Sequence, residues 1–292
     1  MPEGDTIYRA ARALDAALAG RTVSRFESVF PHLTRVDVDA PLRGRVVERV
    51  TSRGKHLLMS FSGDLVLRTH MRMNGTWHIY RPGERWRRPR HEMRIVIGTD
   101  AFEAVAFTVP VAEFIAASAL ERELAAVGPD PLAADFDPPS AVARLRARGE
   151  MAVADALLDQ SAIAGIGNIY KSEILFAGGV HPFVRVADLP DAALERLVAV
   201  AVRLMRANVG EGTSAAIVTY TGFRRTTGGT DPSARLWVYG RAGKPCRRCG
   251  TLVSRAKQGI HARSTYWCEK CQTRNFRDPG VRTGSDRGQS RL

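Results

Sequence analysis

Lysine is scarce in this chain: Lys55, Lys171, Lys244, Lys257 and Lys270 are the whole set, and arginine supplies nearly all of the positive charge. Cysteine is scarcer still, and its four residues all fall between 246 and 271. Such clustering is not the pattern of a secreted domain stapled by disulfides, and in a reducing compartment it points to metal ligation first. Also missing are a charged N-terminal region followed by an apolar run, and any apolar stretch of membrane-spanning length. These absences lead to the expectation of a cytosolic protein (bacterial cytosol or nucleoid) with no membrane partner. Acidic residues are in deficit too, which leaves a net charge of +13 and a pI near 10.3. A balance this basic calls for a polyanionic partner, nucleic acid in preference to an anionic membrane surface. Part of the arginine excess can follow from GC-rich coding, but guanidinium groups also suit bidentate phosphate contacts.

What is present is a chain of 292 residues, 45% hydrophobic, enough for two domains with real cores. It opens Met1-Pro2-Glu3-Gly4-Asp5-Thr6. Initiator methionine is normally removed before a small residue, so Pro2 would carry a free secondary amine, titrating near pH ~8. An unprotonated amine can attack a carbonyl-like carbon, and Glu3 beside it can move a proton. Alone, the same residues also describe the ordinary start of a helix. Helical spacing from Thr6 to Leu18 follows, with Gly20 as a stop.

From Thr22 to about Thr108, short alternating or β-branched runs recur between turn residues, which predicts an antiparallel β-sandwich or barrel. Within it Lys55 follows the glycine turn of Arg53-Gly54-Lys55, and Arg72 and Met73 flank a tight turn at Asn74-Gly75. Met73 has the character of core filler or of an apolar wedge that enters a base stack. His56, His70 and His91 show no metal-ligand spacing and read as structural or surface residues. From Val111 the spacing of Phe114, Ile115, Leu120 and Leu124 reads as helical, and the Pro-rich stretch from Gly128 to Pro139 reads as an interdomain connection. Helices are expected over Ser140 to Arg148, Ala152 to Asp159, Ile169 to Ala177 and Asp191 to Asn208.

Between the second and third of these lies Gln160-Ser-Ala-Ile-Ala-Gly165-Ile-Gly167-Asn168-Ile-Tyr-Lys171. Its glycines admit a bulky partner, and Asn168 opens a helix whose N-terminus favours a phosphate. A helix-two-turns-helix clamp on a DNA backbone, contacted by Gly165, Gly167, Asn168 and Lys171, fits this better than a plain helix connection. Gly210 to Ala234 reads as a Gly/Thr/Ser-rich binding loop around Arg224-Arg225. Cys246-x2-Cys249 and Cys268-x2-Cys271, 18 residues apart, form a strong four-thiolate signal for one structural zinc ion. The alternating stretch Ser264 to Trp267 between them predicts a β-hairpin presenting Arg263, and the residues from Thr273 on read as a disordered basic tail.

Taken together, the segments from Pro2 to Gln272 resemble the Fpg/Nei (formamidopyrimidine-DNA glycosylase and endonuclease VIII) family. The resemblance rests on Met1-Pro-Glu-Gly-Asp, Arg53-Gly-Lys55, Asp159-Gln-x4-Ala-Gly-Ile-Gly-Asn168, and the zinc hairpin with Arg263 five residues before Cys268. It implies an N-terminal antiparallel β-sandwich with a leading helix (1–127), a helical helix-two-turns-helix domain (128–234), a four-cysteine β-hairpin zinc finger (235–272) and a tail (273–292). It further implies a base excision repair enzyme, a bifunctional DNA glycosylase and AP lyase acting on double-stranded DNA with damaged bases or abasic sites. In that family the proline attacks C1′, the glutamate protonates the deoxyribose, and β,δ-elimination cuts the strand. By resemblance these roles pass to Pro2 and Glu3, with Lys55, Arg263 and Asn168 holding phosphates beside the lesion, and Arg72 with Met73 filling the gap. A monomer is expected.

Departures bear on substrate. Pro-Glu-Gly-Asp matches the endonuclease VIII branch, the Asp-x-Arg-x-Phe-Gly loop of the other branch is replaced by Ala101 to Pro110, and Ala126 stands where an arginine would contact DNA. The lean is to oxidised pyrimidines. The alternatives are an 8-oxoguanine or formamidopyrimidine preference, and a non-catalytic DNA-binding paralogue.

Overall fold

The computed structural model describes residues 2–210, 216–220, 232–272 and 274. Arg224-Arg225 of the expected binding loop, and the expected tail apart from Arg274, lie outside the described residues.

Helix α1 (Gly4–Leu18) buries Ile7, Ala11, Leu14, Ala17 and Leu18. This is the face expected from an i, i+3, i+4 apolar pattern. It rests on a sandwich of two antiparallel four-stranded sheets. One has the order β1 (Arg25–Ser28), β6 (Met93–Gly98), β7 (Glu103–Phe107), β5 (Thr76–Tyr80). The other runs β2 (Val47–Arg53), β3 (His56–Phe61), β4 (Leu65–His70), β8 (Val111–Ala116). Leu57, Met59, Phe61, Leu67, Ile95 and Ile97 form the core between sheets and helix.

Two expectations fail here. The stretch from Val111, expected to be helical, is strand β8, paired with β4 in a register of Leu65 with Ala116 through His70 with Val111. Its apolar residues do not alternate because both faces are covered: Phe114 meets Phe26 inside the sandwich, with ring centroids 5.7 Å apart. Ile115 joins an outer cluster with Leu58, Val66 and Leu124. A helix begins only at α3 (Leu120–Leu124). The region expected to be wholly β also contains α2 (Pro31–Asp39), started by Pro31 in the first turn and buried through Leu33 alone.

The helical part comprises α4 (Pro138–Arg146), α5 (Val153–Ala156), α6 (Asn168–Gly178) and α7 (Asp191–Ala207) around Leu145, Ile163, Ile166, Tyr170, Leu194 and Leu197. The helix expected to reach Asp159 ends at Ala156, and the chain continues in turns to Gly167. Strands β9 (Ser254–Gln258) and β10 (Arg263–Trp267) pair as the zinc-finger hairpin, Arg263 opposite Gln258.

Helix α6 is buried along almost its whole length, including the polar Asn168, Lys171, Ser172 and Glu173. Buried charges are costly unless bonded, and each of these has partners in another segment. The Glu173 carboxylate accepts the backbone N–H groups of Trp237, Val238 and Tyr239 at 2.8, 3.0 and 2.9 Å. It also accepts the Thr219 hydroxyl. The chain leading into the zinc finger is therefore tied to α6.

Candidate active site

The N-terminal segment passes between the sandwich and the helical part. The Glu3 carbonyl starts α1 by accepting Thr6 and Ile7 N–H at 3.0 and 3.1 Å. Its side chain turns away, wholly buried, to the N-terminus of α6. There it accepts Gly167 N–H at 2.9 Å, Ile169 N–H at 2.8 Å and Tyr170 N–H at 3.2 Å. The orphan donors of one helix are thus satisfied by the residue that begins another. Burial pushes the Glu3 carboxyl above its ordinary range, and the Lys55 charge and the Ile169 and Tyr170 N–H groups oppose that only in part.

This seat is possible because the turn before α6 has no side chains in the way. Gly4 N–H bonds to Gly165 O at 2.9 Å, and Gly165 takes a φ of +83° that favours glycine. A Cβ on Gly167 would lie 2.3 Å from the Glu3 carboxyl carbon. A bulky partner of these glycines is the protein's own N-terminus.

Lys55 leaves the β2–β3 turn and donates to Ile166 O at 2.6 Å. It is not the solvated hairpin residue that its position alone suggests. Burial, with Arg263 adding to it and Glu3 opposing, brings its amine down to about 8. The turn is held by Asp130, a buried residue that sequence reading passed over inside the Pro-rich connection. Its Oδ2 accepts Gly54 N–H at 2.7 Å and its Oδ1 accepts Leu132 N–H at 2.9 Å. Gln160 was also missed as a staple: its amide donates to Leu158 O and Ile166 O at 2.8 and 3.0 Å and accepts Gly165 N–H at 3.1 Å.

Pro2, Lys55, His70, Arg72, Met73 and Arg263 line one cleft of about 660 Å³, with Asp155 and Gln160 on the helical side and Gly259 to His261 on the zinc hairpin. His70, expected to be structural or surface, is part of this wall. Its Nδ1 accepts Arg72 N–H at 3.0 Å, where Arg72 has a φ of +50°. Its ring meets His56 edge-on, centroids 5.3 Å apart. Burial lowers both imidazoles to about 4, so they are neutral at physiological pH. Met73 is 59% exposed at the cleft.

Asn168 and Lys171 both bond to the zinc hairpin. The Asn168 amide donates to Ser264 O at 2.8 Å, and the α6 N-terminus that it was expected to offer a phosphate is occupied by Glu3. Lys171, expected to contact DNA, is 0% exposed. Its ammonium donates to Thr265 Oγ1 at 2.7 Å and Ser264 O at 3.3 Å of the zinc hairpin.

The four cysteine sulfurs lie within 4.8 Å of one another, with Cys249 to Cys268 at 3.4 Å and Cys246 to Cys271 at 3.9 Å. Tetrahedral zinc with bonds of about 2.3 Å needs sulfurs roughly 3.8 Å apart, so the cluster fits that ion. Zinc held there would fix the β9–β10 hairpin and has no place in the cleft chemistry.

Comparison with known proteins matches the chain segment by segment. Residues 1–110 match the formamidopyrimidine-DNA glycosylase N-terminal domain, 127–219 the formamidopyrimidine-DNA glycosylase H2TH domain, and 243–274 the zinc finger found in FPG and IleRS. The chain is 44% identical to the probable endonuclease 8 2 of Streptomyces coelicolor, over 97% of this chain and 98% of that one. It is 39% identical to the DNA-(apurinic or apyrimidinic site) lyase Nei2 of Mycolicibacterium smegmatis, over 94% and 99%. A complex of Lactococcus lactis Fpg with abasic-site DNA superposes with a TM-score of 0.76 at 25% identity, covering 92% of this chain and 99% of that one.

Proposed function

The chain belongs to the formamidopyrimidine-DNA glycosylase and endonuclease VIII family, and from that premise we propose that it is a bifunctional DNA glycosylase and AP lyase of base excision repair. One observation carries the reading: Pro2 and Lys55, distant in sequence, line one cleft between the two large parts of the molecule, and the Glu3 carboxyl next to Pro2 is buried within reach of the Lys55 charge.

In this reading a damaged nucleotide flips out of the duplex into the cleft. The Pro2 amine, freed by loss of Met1, forms a bond to C1′ as the C1′–N bond to the base breaks and the base leaves with its electron pair. Glu3, held protonated more readily than a surface carboxyl, passes its proton to the ring oxygen, and C1′–O4′ cleavage leaves an iminium at C1′. Loss of a C2′ proton then expels the 3′-phosphate, and a second elimination expels the 5′-phosphate. Lys55 and Arg263 hold the flanking phosphates as cations. Met73 and Arg72, exposed on a turn at the cleft, enter the gap left in the stack. Gly165, Gly167, Asn168 and Lys171 act from inside the protein. The replacement of the Asp-x-Arg-x-Phe-Gly loop by Ala101 to Pro110 favours oxidised pyrimidines over 8-oxoguanine.

Borohydride trapping on a panel of lesion duplexes tests this. The expected result is a covalent adduct whose modified peptide begins at residue 2, strongest on oxidised pyrimidines. An N-terminally blocked protein that traps normally while Lys55→Ala does not would transfer the covalent step to the lysine.

A further inference from the structure

Lys171 is a fully buried ammonium that the proposed chemistry does not use. An apolar side chain of similar length would fill the same space without the desolvation cost. What the ammonium does instead is join α6 to β10. Three residues on one face of α6 reach three successive residues of the strand. Asn168 Nδ2 bonds to Ser264 O at 2.8 Å, Lys171 Nζ to Thr265 Oγ1 at 2.7 Å, and Ser172 Oγ accepts Tyr266 N–H at 3.5 Å. Arg263 is the residue immediately before this run and lines the cleft. Side chains alternate along a strand, so a slip of one residue against α6 would carry Arg263 to the other face. Lys171 Nζ also reaches Ser264 O at 3.3 Å. Of these hydrogen bonds between α6 and β10, the Lys171–Thr265 bond is the one made to a side chain of the strand, so among them it reads the register.

We propose that Lys171 is a positioning residue for Arg263: it locks the register of the zinc hairpin on the helix that seats Glu3, so that Arg263 reaches the phosphate beside the lesion. This rests on the DNA-binding reading above. One helix then places both banks of the cleft, Glu3 through its N-terminus and Arg263 through Lys171.

The test is a double-mutant cycle on the full zinc-loaded chain, with affinity measured for a duplex carrying a tetrahydrofuran abasic analogue. Lys171→Met is expected to weaken binding about tenfold, the worth of a hydrogen bond to a charged group. In an Arg263→Ala background the same change should cost less than about twofold. Thr265→Val cuts the same contact from the hairpin side at nearly constant volume and should repeat the pattern, with zinc content and Tm recorded for each protein. The salt dependence should lose about one phosphate contact in Lys171→Met and no further contact in the double mutant. An undiminished Lys171→Met effect without Arg263, or no effect with it, overturns the proposal. Failure of the unmodified protein to bind the duplex would instead strike the functional reading on which it rests.

Discussion

Gly167 and Glu3 are fitted to one another so closely that a single carbon decides the site: a Cβ on the glycine would stand 2.3 Å from the glutamate carboxyl carbon. The approach lets Gly167 N–H reach Glu3 Oε2 at 2.9 Å. Gly167→Ala must therefore push Glu3 off the α6 N-terminus. Overpacking of this kind costs about 1–3 kcal/mol. The expected outcome is a Tm lower by several degrees together with loss of base excision, read by calorimetry and by release of a labelled damaged base.

Glu3→Gln keeps the shape and removes the acid. Base removal from an intact damaged nucleotide should fall by about a hundredfold or more, the usual worth of general acid catalysis. Cleavage at a pre-formed abasic site should survive in large part, because that sugar opens to an aldehyde unaided. Gel assays on the two substrates side by side check this, and equal loss on both would sink the assigned role.

Lys55 gives a pH dependence with a definite sign. Its amine is brought down from 10.5 to about 8, so the ammonium that would hold a phosphate is present below that pH and lost as pH rises through it. Affinity for an abasic-analogue duplex should fall above pH 8, and Lys55→Met should remove most of that step. Folding stability moves the other way. The unfolded chain binds the extra proton between about 8 and 10.5, so this group's contribution to stability rises with pH across that window. Denaturant titrations at several pH values measure it.

Asp130→Ala should loosen the turn that carries Lys55, because Gly54 N–H and Leu132 N–H lose their acceptor. Leaving buried donors unsatisfied costs about 1–3 kcal/mol. The expected result is lower stability and a reduced trapping rate with Pro2 and Glu3 intact. Unchanged trapping would show that the turn holds its shape without the carboxylate.

Removal of the metal is expected to act locally. Structural zinc supplies on the order of 10 kcal/mol to modules of this size. The hairpin cluster around Phe176, Val238 and Val253 is separate from the two large cores. Cys268→Ser, or chelation, should abolish zinc in elemental analysis and cut DNA affinity to about that of Arg263→Ala, with far-UV dichroism largely retained.

Sequence made some of this legible and hid the rest for identifiable reasons. Pro2 and Glu3 stand next to each other, and the cysteines keep a fixed spacing, so local pattern sufficed for both. Strand β8 carries a helix-like spacing because Phe114 and Ile115 are covered on opposite faces, which erases the alternation that marks a strand. Asp130 and Gln160 look like residues of a loop, and only the fold shows what they hold. Lys171 lies in the stretch that reads as a backbone clamp, and nothing in its local spacing marks it as buried. Its bonds run to Ser264 and Thr265, 93 and 94 residues away, and no periodicity reports a contact at that range.

The seat of Glu3 also has a bearing on the order in which the protein can become active during synthesis. Glu3 leaves the ribosome first, but its bonding partners Gly167, Ile169 and Tyr170 follow 164, 166 and 167 residues later. At about 5–20 residues per second the delay is roughly ten to thirty seconds. Throughout it the proline amine has no neighbouring acid fixed in place, and the nascent chain carries its nucleophile undocked until the helical part has emerged and folded around it.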